Sequence, residues 1–382
     1  MEKVNLIATT AFGLEAVCKR EIAALGYNIL YVSDGRIDFE GPLDAIAYAN
    51  LCLRSADRVL LKVGEFTAKS FEELFQGVKA LPWASLIPID GKFTVIGKSV
   101  KSTLFSVPDC QAITKKAVVE NLKQKYNVQW FEESGAEFKI QIALLKDIVT
   151  LTIDTTGAGL HKRGYRPTTS KAPIKETLAA SLVLLSYWKK SRILLDPFCG
   201  SGTIAIEAAM IAKNIAPGYK RKFVSENWHW IDKKVWNNAR TEIGRAVNKE
   251  LTPQIYAYDI DPEAIKLARL CAKKAGVEES ISFNTSDISR LSLPGDYGCL
   301  ITNPPYGQRL GYDKETKSAC EHLSRLIPKN STWSMYIITS DTELQKRLNR
   351  KASTKRKLFN GNIKTDYYQF EGPKPPKSII NL

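Results

Sequence analysis

The chain has 382 residues, which is more than one ordinary core accommodates and suits two or three domains. With 44% hydrophobic and 25% charged residues it reads as globular, and no apolar run approaches the roughly 20 residues that span a bilayer, so no membrane partner is expected. The net charge of +15 is unevenly placed: residues 1–155 hold 18 Lys and Arg against 19 Asp and Glu, whereas residues 156–382 hold 37 against 21. An excess of positive charge confined to the second part of the chain suits a polyanion such as nucleic acid. The seven cysteines are scattered and never spaced as CxxC, and the three histidines show no ligand spacing. This composition predicts neither a disulfide framework nor a metal site, and a reducing, cytoplasmic setting. Glu2 and Glu15 interrupt the opening residues, so no signal peptide is expected there.

In chain order, a strand is predicted near Asn5–Thr9, a helix near Gly13–Leu25, and strands near Asn28–Val32 and Arg36–Glu40. Residues 57–155 repeat this grammar at larger scale. There a strand near Val59–Phe66, a helix near Ser70–Leu81, a strand at Lys92–Ser99 and a helix at Asp109–Lys125 precede two strands, Ala136–Leu145 and Asp147–Asp154. No catalytic constellation is visible in this α+β region, which points to binding or positioning. A loop from Thr155 to Pro173 leads to a helix at Lys175–Trp188 and then to a regular α/β alternation. Strands are predicted at Arg192–Asp196, Gln254–Asp259, Ser280–Thr285, Gly298–Asn303 and Trp333–Thr339, with a possible antiparallel edge strand at Asp366–Phe370. Apolar strands alternating with amphipathic helices imply a mostly parallel sheet covered on both faces.

Four strand ends carry chemistry. The first reads Asp196-Pro197-Phe198-Cys199-Gly200-Ser201-Gly202-Thr203. Its glycines permit a tight turn and close approach of a ligand to the backbone. Ala205 stands where a dinucleotide fingerprint has its third glycine, and the next strand end comes too late for a nicotinamide enzyme. An acid directly before the turn suits instead a cationic ligand group, such as the α-amino group of a methionine moiety. The second strand ends at Asp259-Ile260, where a carboxylate can accept from both ribose hydroxyls. Asp261, just before Pro262, reads as a helix N-cap. After the third strand, Asp287 can accept from an adenine amino group and Ile288 can pack on the ring.

The fourth strand leads into Thr302-Asn303-Pro304-Pro305-Tyr306-Gly307. Two prolines stiffen the turn and remove backbone donors, leaving the Pro304 carbonyl free to face a ligand. Together with the Asn303 side-chain oxygen it can accept both N–H bonds of a planar exocyclic amine, turning the nitrogen lone pair toward a methyl sulfonium. Tyr306 offers a face for an extruded base. The motif alone leaves guanine N2 and adenine N6 open, because both are exocyclic amines.

These two motifs resemble those of the amino-methylating class I methyltransferases. Gly159–Arg166, the stretch Ala172-Pro173-Ile174-Lys175-Glu176-Thr177-Leu178-Ala179, and Asn214–Gly218 with the tryptophan-rich segment after it narrow the likeness. They resemble the THUMP-containing RNA guanine-N2 methyltransferases, in particular the N2-methylguanine-forming half of the 23S ribosomal RNA enzyme. The resemblance covers essentially the whole chain. It implies a small ferredoxin-like module (1–55), a THUMP RNA-binding domain (56–155) and a Rossmann-like class I methyltransferase domain (156–382). It further implies S-adenosyl-L-methionine held by Asp196, Phe198, Gly200, Gly202, Thr203, Asp259, Ile260, Asp287 and Ile288, with Asn303, Pro304, Pro305 and Tyr306 at the target base. The implied partner is structured RNA, either 23S ribosomal RNA or an assembly intermediate, with transfer RNA as the alternative. A non-catalytic RNA-binding assembly factor is the reading from another class, and the intact Asn-Pro-Pro-Tyr argues against it. Basic surfaces expected to grip RNA are His161–Arg166, Lys220–Lys222 and Lys346–Lys364. Trp228, Trp230 and Trp236 are expected in the core, and Cys199 beside the cofactor rather than as a nucleophile.

Overall fold

A computed structural model describes residues 3–167, 174–305 and 312–376. Two seven-stranded sheets organise them. The first contains β1 (Lys3–Thr10), β2 (Asn28–Ser33), β3 (Arg36–Pro42), β4 (Ala56–Thr67), β5 (Lys92–Val100), β6 (Glu137–Leu145) and β7 (Ile148–Asp154). Between them run α1 (Glu15–Ala24), α2 (Ala45–Cys52), α3 (Phe71–Lys79), the single turn α4 (Trp83–Leu86) and α5 (Val107–Tyr126). The strand order is β2-β3-β1-β4-β7-β6-β5. β4 therefore pairs on one side with β1 and on the other with β7, aligning Leu6, Leu61 and Ile153 in one buried row. Residues on either side of position 55 thus share a continuous sheet.

The second sheet contains β8 (Leu194–Asp196), β9 (Ile255–Asp259), β10 (Ser282–Thr285), β11 (Cys299–Thr302), β12 (Ser334–Thr339), β13 (Thr354–Asn360) and β14 (Ile363–Phe370). Its helices are α6 (Glu176–Leu185), α7 (Thr203–Ala212), α8 (Lys233–Arg245), α9 (Pro262–Ala275), α10 (Tyr312–Leu326) and the short α11 (Leu344–Arg347). The order β10-β9-β8-β11-β12-β14-β13 has five parallel strands followed by an antiparallel hairpin. This is the mostly parallel α/β architecture expected, extended by β13, which the charge of Thr354-Lys355-Arg356-Lys357 concealed. The chain leaves β8 toward β9 on one side and meets β11 on the other, so a crevice opens at the carboxyl ends of β8 and β11.

The segment between α7 and β9 packs away from the sheet that precedes it. Phe223, Trp228, Ile231 and Trp236 join the apolar core of the first sheet. Trp228 stacks on Phe138 of β6 with ring centroids 5.1 Å apart, and its indole N–H donates to the Glu137 carbonyl at 3.1 Å. Trp230 packs beside Trp228 and donates to the Leu86 carbonyl at 3.1 Å. Trp228 and Trp236 are interior, as expected, with Trp230 partly buried against them, but they serve the neighbouring sheet's core.

Among the described residues no helix is long and apolar enough to cross a membrane. Because Trp228 is fully buried and stacked, Trp228→Ala should lower the unfolding free energy by about 3–5 kcal/mol. Chemical denaturation followed by circular dichroism measures this; a loss below about 1 kcal/mol would mean the two parts do not depend on that contact.

Candidate active site

Asp196 closes β8 at the switch point and is almost wholly buried. Its Oδ1 accepts from the Thr302 hydroxyl at 2.7 Å and from the Phe198 backbone N–H at 3.3 Å. Burial pushes its carboxyl up to about 7, assisted by the charge of Asp259 and opposed by those two hydrogen bonds. A buried carboxylate with so few donors is poised for a cationic partner.

The two glycines of the following turn are required for different reasons. Gly200 has φ +52°, and a Cβ placed there would meet nothing within 4 Å, leaving its backbone open to a ligand. Gly202, at φ +76°, faces inward, where a Cβ would come within 3.0 Å of Ala268 and the Phe283 ring. It lets α7 start against α9 and β10 and does not line the cleft. Asp259 braces the turn: its Oδ2 accepts from the Gly200 N–H at 2.9 Å and its Oδ1 from the Asp261 N–H at 3.0 Å.

Asp196, Phe198, Gly200, Thr203 and Asn303 line one cleft of about 500 Å³, together with Ile174 and Asp261. Asp259, Ile260, Asp287 and Ile288 lie outside its wall. They continue along the same sheet edge, since Asp259 pairs in register with Thr285 of the next strand. Ile260 is 67% exposed, whereas Ile288 is buried in the core with Leu195 and Leu300. Asp287 caps a short turn by accepting from the Ser289 N–H at 2.7 Å, and hydrogen bonds from Ser289 hold its carboxyl below the ordinary range. Asp261 caps α9 through the Glu263 N–H at 2.9 Å, as its place before Pro262 suggests.

Beyond β11, Asn303 Oδ1 is buried and has no hydrogen-bond partner among the described residues. Pro304 is buried and Pro305 exposed, with the Pro305 carbonyl accepting from Thr316 at 3.3 Å. Tyr306 lies outside the described residues. Cys199 is buried beside the cleft, and burial with the neighbouring Asp196 and Asp259 drives its thiol far up, which removes it as a nucleophile.

Part of the expected basic surface turns out to be interior. Arg163 is buried 3.5 Å from the fully buried Glu207, and Arg221 is buried against the Phe223 ring, donating to the Ala158 carbonyl. A guanidinium in the interior needs a carboxylate, a ring or carbonyls around it, and each of these has them. Residue type alone does not distinguish such arginines from surface ones. Sequence reasoning does not single out Ile174, Thr302 or Arg166 for the cofactor site: the folded chain places Ile174 in the cleft wall, Thr302 on Asp196 and Arg166 on Thr203.

A doubly wound sheet with an antiparallel hairpin at one edge, a buried acid and glycine turn at the switch point, and an Asn-Pro-Pro turn after the adjoining strand define a class I methyltransferase. Asp196 with unfilled acceptor capacity and the open backbone of Gly200 fit S-adenosyl-L-methionine, the cofactor of that class. The chain belongs to the RMKL-like methyltransferase family: the model of that methyltransferase domain matches residues 163–369, after an RlmL ferredoxin-like domain at 5–60 and a THUMP domain at 68–154. It is 50% identical over 372 residues to a Bacillus subtilis (strain 168) protein called putative RNA methyltransferase YpsC, covering 97% of this chain and 96% of that one. A solved Listeria monocytogenes structure described as a predicted N6-adenine-specific DNA methylase is 48% identical, with TM-score 0.93 and coverage of 98% and 97%. The structure of SMU.472, a putative methyltransferase complexed with S-adenosylhomocysteine, is 42% identical, with TM-score 0.91 and coverage of 98% and 100%.

The raised Asp196 carboxyl has a testable sign. Its folded value of about 7 lies above that of an unfolded Asp, so stability falls as pH rises from the ordinary Asp range to about 7 and the cost is constant above it. A cationic ligand needs that ionised form. S-adenosylhomocysteine should therefore bind about tenfold more weakly per pH unit below 7. Asp196→Asn should abolish the pH dependence, weaken binding at pH 8, and raise the stability of the free protein there. Calorimetric titration between pH 6 and 8, with melting curves at pH 8, checks all three; pH-independent binding to the unaltered protein would refute the assignment.

Proposed function

We propose that the protein transfers a methyl group from S-adenosyl-L-methionine to the exocyclic N2 amine of a guanine in 23S ribosomal RNA. The observation that carries the reaction type is the buried Asn303 side-chain oxygen, which has no partner among the described residues. A buried acceptor left unpaired costs about 1–3 kcal/mol, and a site retains it when a substrate donor completes it. The amine of an extruded base is such a donor. Asn303 and the Pro304 carbonyl accept its two hydrogens and orient its lone pair, and Tyr306 stacks on the ring. Bound S-adenosyl-L-methionine supplies an electrophilic methyl group. The product nitrogen sheds a proton readily, so no strong general base is required. Extrusion costs a few kcal/mol, offset by stacking and by the two hydrogen bonds.

RNA as substrate is supported by the THUMP match and by the name of the Bacillus subtilis relative. The basic excess in residues 156–382 supports it independently, since phosphate neutralisation dominates nucleic-acid affinity. Guanine N2 of 23S ribosomal RNA is favoured by the resemblance of Gly159–Arg166, Ala172–Ala179 and Asn214–Gly218 to the THUMP-containing RNA guanine-N2 methyltransferases. The seven cysteines are all unpaired thiols, in keeping with a reducing cytoplasm as the site of action. The description of the Listeria monocytogenes structure favours a second reading, methylation of adenine N6.

Nucleoside mass spectrometry of RNA and DNA from cells with and without the gene separates these readings. Loss of N2-methylguanosine from large-subunit RNA is the expected result. Its loss from transfer RNA alone would move the substrate, and loss of N6-methyladenine would replace the reaction. Asn303→Ala should lower turnover by about 10²–10³-fold or more while S-adenosylhomocysteine affinity stays within about threefold. Loss of both together would mean that Asn303 serves the cofactor and not the base.

A further inference from the structure

We propose that Arg166 is a positioning residue for the cofactor, holding the start of α7 and the chain before α6 in one fixed relation across the cleft. Its Nη2 donates to the Thr203 hydroxyl at 2.6 Å and to the Ile174 carbonyl at 3.1 Å, and both of those residues line the cleft. Its Nη1 lies 3.5 Å from the carboxylate of Glu176, the first residue of α6. The Thr203 hydroxyl is also 3.3 Å from the Ser201 hydroxyl, so the chain of contacts reaches into the glycine turn. One planar guanidinium thus joins its own loop to two segments that meet at the cofactor site, and a lysine ammonium, with its donors on a single nitrogen, lacks the planar fork that spans them.

The same short stretch of chain grips α7 a second time. Arg163 and Tyr165 both reach Glu207, at 3.5 Å and 3.0 Å. Glu207 lies four residues beyond Thr203, on the same face of the helix one turn further along. Arg163 Nη2 in turn donates to the Arg54 carbonyl at 2.6 Å, which ties the stretch to the first sheet. α7 is therefore clamped at two successive turns by residues 163–166. The clamp nearer the cofactor is Arg166.

Packing alone does not account for this arrangement. Arg166 Nε is buried without a partner among the described residues. Burial raises the Glu176 carboxyl even though Arg166 opposes that shift. A buried ion pair of this kind is commonly matched or bettered in stability by apolar side chains of similar volume. What an apolar replacement cannot do is donate to Thr203 and the Ile174 carbonyl together. The first residue of α7 carries the first of the backbone N–H groups that open the helix beside the glycine turn, so an error in its position is passed to the cleft.

The test is calorimetric titration of S-adenosylhomocysteine into the full-length protein and into Arg166→Met, Arg166→Lys, Thr203→Val and the Arg166→Met/Thr203→Val double variant, each with its melting temperature. We expect Arg166→Met to weaken binding about tenfold or more and Thr203→Val to weaken it by a similar factor. The double variant should be no weaker than the worse single one, because both remove the same contact. Arg166→Lys should recover part of the loss. Factors that multiply in the double variant, or affinity within about twofold of the unaltered protein while the melting temperature falls, would reduce Arg166 to a stabilising residue and overturn the proposal. Should Arg166→Met fail to fold, Thr203→Val, which removes one hydroxyl, and Arg166→Lys still decide the question by their affinities.

Discussion

The stacking of Trp228 on Phe138 is the contact on which the arrangement of the whole chain depends. The residues after α7 leave the second sheet, place Phe223, Trp228 and Trp236 in the core of the first, and return to form β9. Aromatic burial on this scale contributes several kcal/mol and leaves little freedom in how the partners meet. The Arg163–Arg54 contact and the Ser225 hydroxyl on the Thr155 carbonyl fall within the same seam. The cleft around Asn303 is thereby held at a fixed distance from the first sheet by side chains inside the protein.

Opposing that rigidity is a site kept at an energetic disadvantage. Asp196 is buried with two donors and a carboxyl raised toward neutrality, and Asn303 keeps an acceptor without a partner. Neither arrangement is what a core would select for stability. A cationic group at Asp196 and a hydrogen-bond donor at Asn303 would make both favourable. The fold offsets these costs elsewhere, largely in the apolar layers on either face of β8 and β11, where Leu194, Leu195, Leu300 and Ile301 are fully enclosed.

Much of this was legible in the sequence wherever a periodic signal or a turn motif carried it. The parallel strands announce themselves as apolar runs, and Asp196, Gly200 and Asn303 stand at strand ends where the switch point assembles them. Other elements were hidden for definite reasons. α2 is apolar on nearly every side, with six of its eight residues buried, so it has no stripe to reveal it. β13 carries three cations in its first four residues, and they read as a solvated run although Lys355 pairs with Asp366 of β14 at 3.0 Å. Arg163 and Arg221 looked like RNA contacts because charge suggests a surface, yet each found its partners inside. The tryptophan segment was assigned to a core correctly, but no local pattern says which of two cores a residue will join.

The shared strand β4 bears on how this architecture can be dismantled or rebuilt. Two modules that family descriptions treat as separate, matching residues 5–60 and 68–154, are joined through β4, which forms one backbone ladder with β1 and another with β7. Chain cut between them would leave the main-chain groups of β1 or of β7 bare along a whole strand, a template for pairing with any other exposed strand. The smallest portion that could be moved intact into another protein is therefore the entire seven-stranded sheet, and recombination among relatives would be expected to respect that boundary rather than the one drawn by sequence similarity.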